Sequence, residues 1–134
     1  MEIIHKIAAV VIEDDKFLLV RKKGKDIWTS LGGHPEESET ETDALLREIH
    51  EEMGCDAEIG EKLGDFEALA AHDENAIVRL STYVATLKGK IVFEDPELEE
   101  YRFFSKDEME QVKIPDSIKN AVLPYCINNG LLNW

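Results

Sequence analysis

Residues 33–55 read GHPEESETETDALLREIHEEMGC, and the spacing of their charged residues and glycines is the most informative feature of the sequence. Residues 40–53 contain no Gly or Pro and are rich in Ala, Leu, Glu and Arg, which all favour helices. We therefore predict a helix here. Gly54 is expected to end it, because glycine readily adopts the left-handed conformation found just after a helix.

The predicted helix has two distinct sides. At roughly 100° per residue, Glu48, Glu51 and Glu52 gather on one side. The opposite side is predicted to pack in the core and consists of Leu45, Leu46, Ile49 and Met53. Neighbouring carboxylates repel one another and crowd the C-terminal half, where the helix dipole disfavours negative charge. A hard divalent cation such as Mg²⁺ or Mn²⁺ would reverse that balance, because it prefers oxygen ligands.

The alternative interpretation is an acidic helix face that contacts only water. Two neighbouring features favour a binding site instead. Arg47 can pair with Glu39 or Glu51 and hold the carboxylates in one geometry. The Gly32-Gly33 pair lets the backbone approach a ligand where a Cβ would obstruct it.

Taken together, residues 33–55 resemble the Nudix box, G-x5-E-x7-R-E-U-x-E-E-x-G-U, in which U is a bulky aliphatic residue. Every charged and glycine position of that motif matches, namely Gly33, Glu39, Arg47, Glu48, Glu51, Glu52 and Gly54. Two positions depart from it. Cys55 occupies the last aliphatic position, where a small buried residue should fit. Ser38 stands where relatives commonly have Gly, which should affect the loop conformation without removing a ligand.

The resemblance implies a fold and a set of roles. The fold would be an α/β/α sandwich with a mixed sheet, in which the box forms a loop–helix–loop. Mg²⁺ or Mn²⁺ would be bound by Glu48, Glu51 and Glu52, with a main-chain carbonyl of Gly32 or Gly33. Arg47 would orient the glutamates, and Glu39 would anchor Arg47 or bind metal through water.

The resemblance also implies hydrolysis of a nucleoside diphosphate linked to another group. The residue that accepts the proton of the attacking water stays open between two positions. Glu48 in the box is one candidate. The other is a glutamate of the 94–100 loop, either Glu99 or Glu100, because some family members supply this base from outside the box.

Size and charge narrow the classes of partner. With 134 residues, the chain is predicted to form a single domain, residues 1–134, that holds its own core. The net charge of −14 argues against a nucleic acid polymer or an anionic membrane as partner, whereas a small nucleotide and a homodimer stay open. The N-terminus shows no secretion signal and no segment is long enough to span a membrane, so we predict a cytoplasmic protein with Cys55 and Cys126 as free buried thiols.

Several elements outside the box can be predicted. Residues 3–12 and 16–21 should form a β-hairpin, and their near-continuous apolar runs indicate a sheet covered on both faces. The following basic segment supplies candidate phosphate contacts, namely Arg21, Lys22, Lys23 and Lys25. Trp28 should pack in the core or shape the site entrance. Residues 76–87, 91–93 and 101–104 are strand-like, and so are residues 56–71, with interruptions at Gly60 and Gly64. Residues 72–75 read as a loop. Ser105 opens a capping box, and a last helix starts near Pro115 with a kink or stop at Pro124.

The substrate is the least determined property. Some relatives carry a Pro about fifteen residues past the box, associated with ADP-ribose, or a Tyr a little further on, associated with dinucleoside polyphosphates. Residues 70–73 read AAHD and have neither. This favours a MutT-like enzyme that cleaves a nucleoside triphosphate, modified or not, to a monophosphate and pyrophosphate. The alternatives are a pyrophosphatase for ADP-ribose or dinucleoside polyphosphates, and a catalytically silent nucleotide- or metal-binding domain.

Overall fold

The computed structural model describes residues 1–70 and 73–134. Three α-helices, one π-helical turn and eight strands follow one another in these described parts of the chain. They are β1 (Glu2–Val10), β2 (Ile12–Glu13), β3 (Lys16–Lys22), β4 (Trp28–Thr29), β5 (Leu31–Gly33), α1 (Glu41–Met53), β6 (Asp56–Ala70), β7 (Asp73–Lys88), β8 (Leu98–Phe104), α2 (Lys106–Met109), the π-helical turn (Ile118–Val122) and α3 (Leu123–Asn128). None of these helices is both long and apolar enough to cross a membrane.

The strands form two sheets of four. The first has the order β5-β1-β7-β6 and is mixed, because β1 and β7 run parallel while the other neighbours are antiparallel. In the second sheet, β3 pairs with β2, β4 and β8, all antiparallel. The predicted hairpin is therefore right only at its tip, where β2 meets β3 and the Leu18 N–H donates to the Val11 carbonyl at 3.0 Å. Beyond that point β1 and β3 belong to different sheets, and β5 pairs with β1 at Ile7–Ala9.

The first sheet is covered on both faces, as the apolar runs predicted. Ile7 and Ala9 of β1 pack in a core with three residues of α1, which are Leu45, Ile49 and Met53. Ala8 and Val10 point the other way and pack with the C-terminal helical segment, through Ile118, Val122, Leu123 and Cys126. Both cysteines are free and buried. This arrangement confirms the α/β/α sandwich with a mixed sheet.

Four predictions outside the box need correction. Residues 91–93 form no strand, and residues 56–70 form one continuous strand whose register with β7 shifts near Gly60 and Gly64. Of the predicted loop at residues 72–75, His72 lies outside the described residues, and the rest belongs to β7. Pro124 does not stop the last helix but lies in the first turn of α3. A π-helical turn comes directly before it, and there the Leu123 N–H donates to the Ile118 carbonyl. The capping box at Ser105 is confirmed.

Candidate active site

The helix of the box has well-defined ends. Thr40 caps its N-terminus, since its hydroxyl accepts a hydrogen bond from the Asp43 N–H at 3.1 Å. Gly54 ends it in the left-handed conformation (φ 63°), and its N–H donates to the His50 carbonyl at 3.0 Å. The end at Gly54 confirms the prediction, and the helix itself begins one residue later than predicted, with Thr40 as its cap. Fixed ends set the register of the box side chains against β5.

Arg47 organises the loop that precedes the helix. Its Nε and Nη2 atoms donate to both carboxylate oxygens of Glu39, at 2.8 and 2.9 Å. Nη1 donates to Glu48 Oε1 at 3.0 Å, and Nη2 also reaches the His34 carbonyl at 3.3 Å. The Arg47 bonds and the Glu36 N–H hold the pKa of Glu39 well below its usual range, at about 2. Glu39 is therefore an ionised anchor for Arg47.

Glu48 lies directly against β5. A Cβ on Gly33 would stand only 2.7 Å from Glu48 Oε1, so the carboxylate fits there because residue 33 has no side chain. Burial raises the pKa of Glu48, although the hydrogen bond and charge of Arg47 act in the opposite direction. The Glu48 carboxylate is thus held between a backbone surface and a guanidinium.

Glu52 is the most buried carboxylate of the box. It is only 9% exposed, and its Oε1 accepts a hydrogen bond from the Gly32 N–H at 2.8 Å. Burial raises the pKa of Glu52 to about 8, and the negative charges of Glu48 and Asp95 add to this effect. Two predictions about the sides of the helix are corrected. Glu52, predicted on the side opposite the core, is buried, and Leu46, predicted on the core side, is 38% exposed.

Glu51 occupies a different environment from Glu48 and Glu52. Its side chain is 53% exposed, and Oε1 lies 3.4 Å from Arg47 Nη1. Among residues 1–70 and 73–134, no three His, Cys, Asp or Glu side chains converge as a preformed metal site. The three glutamates therefore divide into an inner pair, Glu48 and Glu52, and an outer Glu51.

The inner pair fits a hard divalent cation by its chemistry. Glu48 is partly buried and Glu52 is buried, and the negative charge of Glu48 raises the pKa of Glu52. They lie beside Gly33 and Gly32, where the backbone is open to close approach. A cation with a preference for oxygen ligands would relieve the repulsion between the two carboxylates.

Three residues predicted from outside the box contact one another. Glu100 pairs with Arg21, whose Nη2 donates to Glu100 Oε1 at 3.0 Å, and the two residues are direct partners between β3 and β8. Arg21 lies 5.7 Å from the centre of the Trp28 ring, and Trp28 packs edge-on against Phe104 in the core. The structure thus brings Arg21, Trp28 and Glu100 together.

Lys23 is also exposed outside the box, and its backbone N–H donates to the Glu97 carbonyl at 3.0 Å. Two further residues influence Glu52, namely Lys22, a candidate phosphate contact, and Asp95, which was not predicted as a site residue. Asp95 raises the pKa of Glu52 through its negative charge, and Lys22 lowers it through its positive charge. The sequence could have indicated both residues, because Lys22 belongs to the basic stretch and Asp95 to the acidic 94–100 loop.

Comparison with known proteins identifies the family. A model of the NUDIX domain matches residues 4–124. The chain therefore belongs to the Nudix family, as residues 33–55 predicted, and the box coincides with the loop–helix–loop around α1.

Three relatives illustrate the similarity. The chain is 35% identical over 65 residues to a CTP pyrophosphohydrolase of Escherichia coli (strain K12), covering 46% of this chain and 48% of that protein. It is 34% identical over 65 residues to a putative 8-oxo-dGTP diphosphatase of Bacillus subtilis (strain 168), covering 48% and 44%. These matches span about half the length of each relative. The solution structure of a MutT protein described as a Nudix hydrolase, from methicillin-resistant Staphylococcus aureus 252, is 30% identical with a TM-score of 0.64, covering 96% of this chain and 99% of that one.

Proposed function

We propose that this protein is a metal-dependent hydrolase that cleaves a nucleoside triphosphate, modified or not, to a monophosphate and pyrophosphate. The observation that carries the proposal is the inner pair of carboxylates. Glu52 is buried on the Gly32 N–H, and Glu48 fills the space beside Gly33. Burial raises the pKa of both carboxylates, and groups with such perturbed pKa values concentrate at functional sites.

The residues of the chain have distinct roles in this mechanism. Glu48 and Glu52 would hold Mg²⁺ or Mn²⁺, with Glu51 and the Gly33 carbonyl completing the oxygen ligands. When bound, the metal would neutralise charge on phosphate oxygens and lower the pKa of a water molecule. Arg47 orients Glu48, and Glu39 fixes Arg47 by two hydrogen bonds.

Hydrolysis requires one proton transfer and one bond exchange. A water oxygen attacks a phosphorus atom of the anhydride, the bridging P–O bond breaks, and pyrophosphate leaves. Glu48 would accept the proton of the water, because its carboxylate lies beside Gly33 in the box, within reach of a water bound to the metal. Glu100 is the weaker candidate for this role, since both of its close partners are cations: Arg21 at 3.0 Å and Arg102 at 3.7 Å.

The names of the relatives support the choice of substrate. Two of the curated relatives are named for CTP and for 8-oxo-dGTP, which are nucleoside triphosphates. Hydrolysis of ADP-ribose or of dinucleoside polyphosphates is the alternative within the same chemistry. A silent binding domain is disfavoured because all box glutamates are present.

A substrate panel tests the proposal. The wild type and Glu52→Gln are assayed with Mg²⁺ and with Mn²⁺ on nucleoside triphosphates, 8-oxo-dGTP, ADP-ribose, NADH and dinucleoside polyphosphates. We expect pyrophosphate release from one or more triphosphates by the wild type and a large loss in Glu52→Gln. The proposal is wrong if no compound turns over, or if the variant is as active as the wild type.

A further inference from the structure

The candidate site lies between α1 and the first sheet, so its geometry depends on how the helix is attached to the sheet. Near the C-terminal end of α1, Glu52 accepts a hydrogen bond from the Gly32 N–H of β5. At the other end, the helix follows the box loop, residues 34–40, which are exposed or only partly buried. Polar contacts of Glu41, the first residue of α1, attach that end to the sheet.

Glu41 contacts three strands of the first sheet. Its Oε1 accepts hydrogen bonds from the Tyr83 hydroxyl of β7 at 2.6 Å and from Lys62 Nζ of β6 at 3.0 Å. Its Oε2 lies 3.1 Å from His5 Nε2 of β1. Burial would raise the pKa of Glu41, but its hydrogen bonds, above all those from Tyr83 and Lys62, outweigh burial and lower the pKa. The carboxylate is therefore ionised at neutral pH, which strengthens these bonds.

The His5 ring is itself fixed on the sheet. Nε2 lies 2.8 Å from Ser81 Oγ, and Ser81 is only 1% exposed. The Ser81 hydroxyl donates its proton to Asp65 Oδ1 at 2.6 Å, so it can only accept from the ring. Nε2 therefore carries a proton, which is shared between the Ser81 oxygen and the Glu41 carboxylate. The His5 backbone carbonyl also accepts from His34 Nδ1 at 3.2 Å, at the start of the box loop.

The attachment of Glu41 bears on Glu48 through two intermediate residues. Glu39 lies two positions before Glu41, and its carboxylate holds Arg47 by hydrogen bonds of 2.8 and 2.9 Å. Arg47 in turn donates to Glu48 Oε1 at 3.0 Å. A movement of the start of α1 away from the sheet would carry Glu39 with it and deprive Arg47 of its anchor. The orientation of Glu48 therefore depends on the contacts of Glu41.

We propose that Glu41 is a positioning residue for the hydrolysis, because it fixes the start of α1 to the first sheet and thereby keeps Glu39 against Arg47. The inference rests on the proposed function for its reaction, whereas the attachment can be measured without substrate. Glu41 acts through Arg47 and Glu48, so its replacement should change the turnover rate and not the binding of substrate.

A kinetic test compares Glu41→Ala with Asp43→Ala. Asp43 is exposed and is acidic in the same first turn, so both variants lose the same kind of interaction with the helix dipole. We expect Glu41→Ala to lower kcat roughly 10-fold with KM unchanged, as for other residues that orient ligands. Asp43→Ala should have the wild-type kcat. Glu41→Gln should recover most of the rate, because its amide oxygen can still accept from Tyr83 and Lys62.

A second test observes the Arg47 side chain by NMR, in the metal-free full chain without substrate. The Arg47 Nε–H donates to Glu39 and should exchange slowly with water in the wild type. In Glu41→Ala we expect this exchange to be faster by about tenfold or more, as loss of hydrogen bonds to a charged group implies. The Arg21 Nε–H, which donates to Glu100 in the second sheet, is the internal reference and should be unaffected.

The design separates positioning from folding. Alanine favours helices, and the core residues of α1 are unchanged in Glu41→Ala, namely Leu45, Ile49 and Met53. Urea unfolding of each variant checks that it is folded. If Glu41→Ala does not fold, Glu41→Asp takes its place with the same expectations, because it keeps the charge but is one methylene too short to keep the contacts.

Two outcomes would overturn the inference. One is an Arg47 exchange rate in Glu41→Ala equal to that of the wild type. The other is an equal kcat for Glu41→Ala and Asp43→Ala. Either result leaves the substrate panel and the proposed function as they are. Conversely, absence of turnover by the wild type would contradict the proposed function, while the exchange of the Arg47 Nε–H would still test the attachment.

Discussion

The Gly32 N–H donates a hydrogen bond of 2.8 Å to Glu52 Oε1, joining the edge strand β5 to the last turn of α1. This contact holds a carboxylate that is only 9% exposed at the point where the backbone turns toward the box loop. Hydrogen bonding to the charged form lowers a carboxyl pKa, yet burial outweighs it and raises the pKa of Glu52 to about 8. At neutral pH the metal-free folded protein therefore keeps Glu52 mostly protonated, and this suppressed ionisation is a free-energy strain on the folded state.

This strain predicts a pH-dependent stability difference between the wild type and Glu52→Gln. Because the folded pKa lies above the usual value of 4.5, the folded state keeps a proton that the unfolded state releases. The stability contributed by Glu52 is full below about pH 4.5 and is lost as the pH rises to about 8. Without metal, Glu52→Gln should match the wild type near pH 4.5 and exceed it by a few kcal/mol at pH 8, since Gln can still accept from Gly32.

Urea unfolding in EDTA across this pH range measures the difference in the free energy of unfolding between the two proteins. A second experiment repeats the unfolding with Mg²⁺ in place of EDTA. Added Mg²⁺ should raise the unfolding midpoint of the wild type at pH 8, because a ligand of the folded state stabilises it. It should raise the midpoint of Glu52→Gln much less. A stability difference that does not change with pH would contradict the role assigned to burial.

Arg47→Lys should reduce the turnover rate strongly while leaving the protein folded. Lysine cannot reproduce the two bonds to Glu39 and the bond to Glu48, so the Glu48 carboxylate loses its orientation. We expect a roughly 10- to 100-fold fall in kcat, as for other residues that orient ligands. Arg79→Lys is the control, since Arg79 pairs with Glu67 on the exposed sheet surface. Equal activity of the two variants would show that the guanidinium is dispensable.

The sequence predicted α1 well because its signals are local. The apolar spacing, the Thr40 cap and Gly54 all act within one turn of the positions they determine. It could not predict which carboxylate would be buried. That depends on how α1 is rotated against the glycines of β5, and this rotation buries Glu52 while exposing Leu46.

Long-range pairing explains the other differences. β1 leaves β3 because it pairs in parallel with β7, a strand more than sixty residues later in the chain. The position of Glu100 follows from its register opposite Arg21, and no local pattern encodes that register. Asp95, in the same acidic loop, lies in the turn before β8, where its carboxylate accepts a hydrogen bond from the Glu97 N–H at 2.8 Å.

Gly33→Ala should impair catalysis more than folding. The new Cβ would lie 2.7 Å from Glu48 Oε1, and the carboxylate would have to move because the backbone of β5 is held by its pairing with β1. A displacement of about 1 Å at a reacting group can cost roughly 100-fold in rate. Gly60→Ala is the matched control, since its Cβ would have no contact shorter than 3.4 Å. Steady-state kinetics and thermal unfolding of both variants separate the two effects.

Glu48→Gln should lose far more activity than Glu100→Gln. Glu48 has a raised pKa and lies against Gly33, whereas Glu100 is an ion-pair partner of Arg21. Removal of a general base typically lowers the rate by about 100-fold or more, and loss of a partly exposed ion pair should affect stability by about 1 kcal/mol or less. The pH profile of kcat/KM for both variants makes the comparison. The reverse order of activities would place the base in the 94–100 loop.

Ser38→Gly should stabilise the protein without changing its activity. Ser38 adopts a left-handed conformation (φ 73°), the conformation that glycine would take most easily at this position of the box loop. The left-handed conformation costs a residue with a Cβ roughly 1–2 kcal/mol, part of which the greater chain entropy of unfolded glycine offsets, so we expect a gain of about 0.5–1 kcal/mol. Glu37→Gly is the matched control, because Glu37 is not in the left-handed region and should lose stability instead. Urea unfolding of the two variants measures the sign, and destabilisation of both would mean that the Ser38 side chain supports the loop.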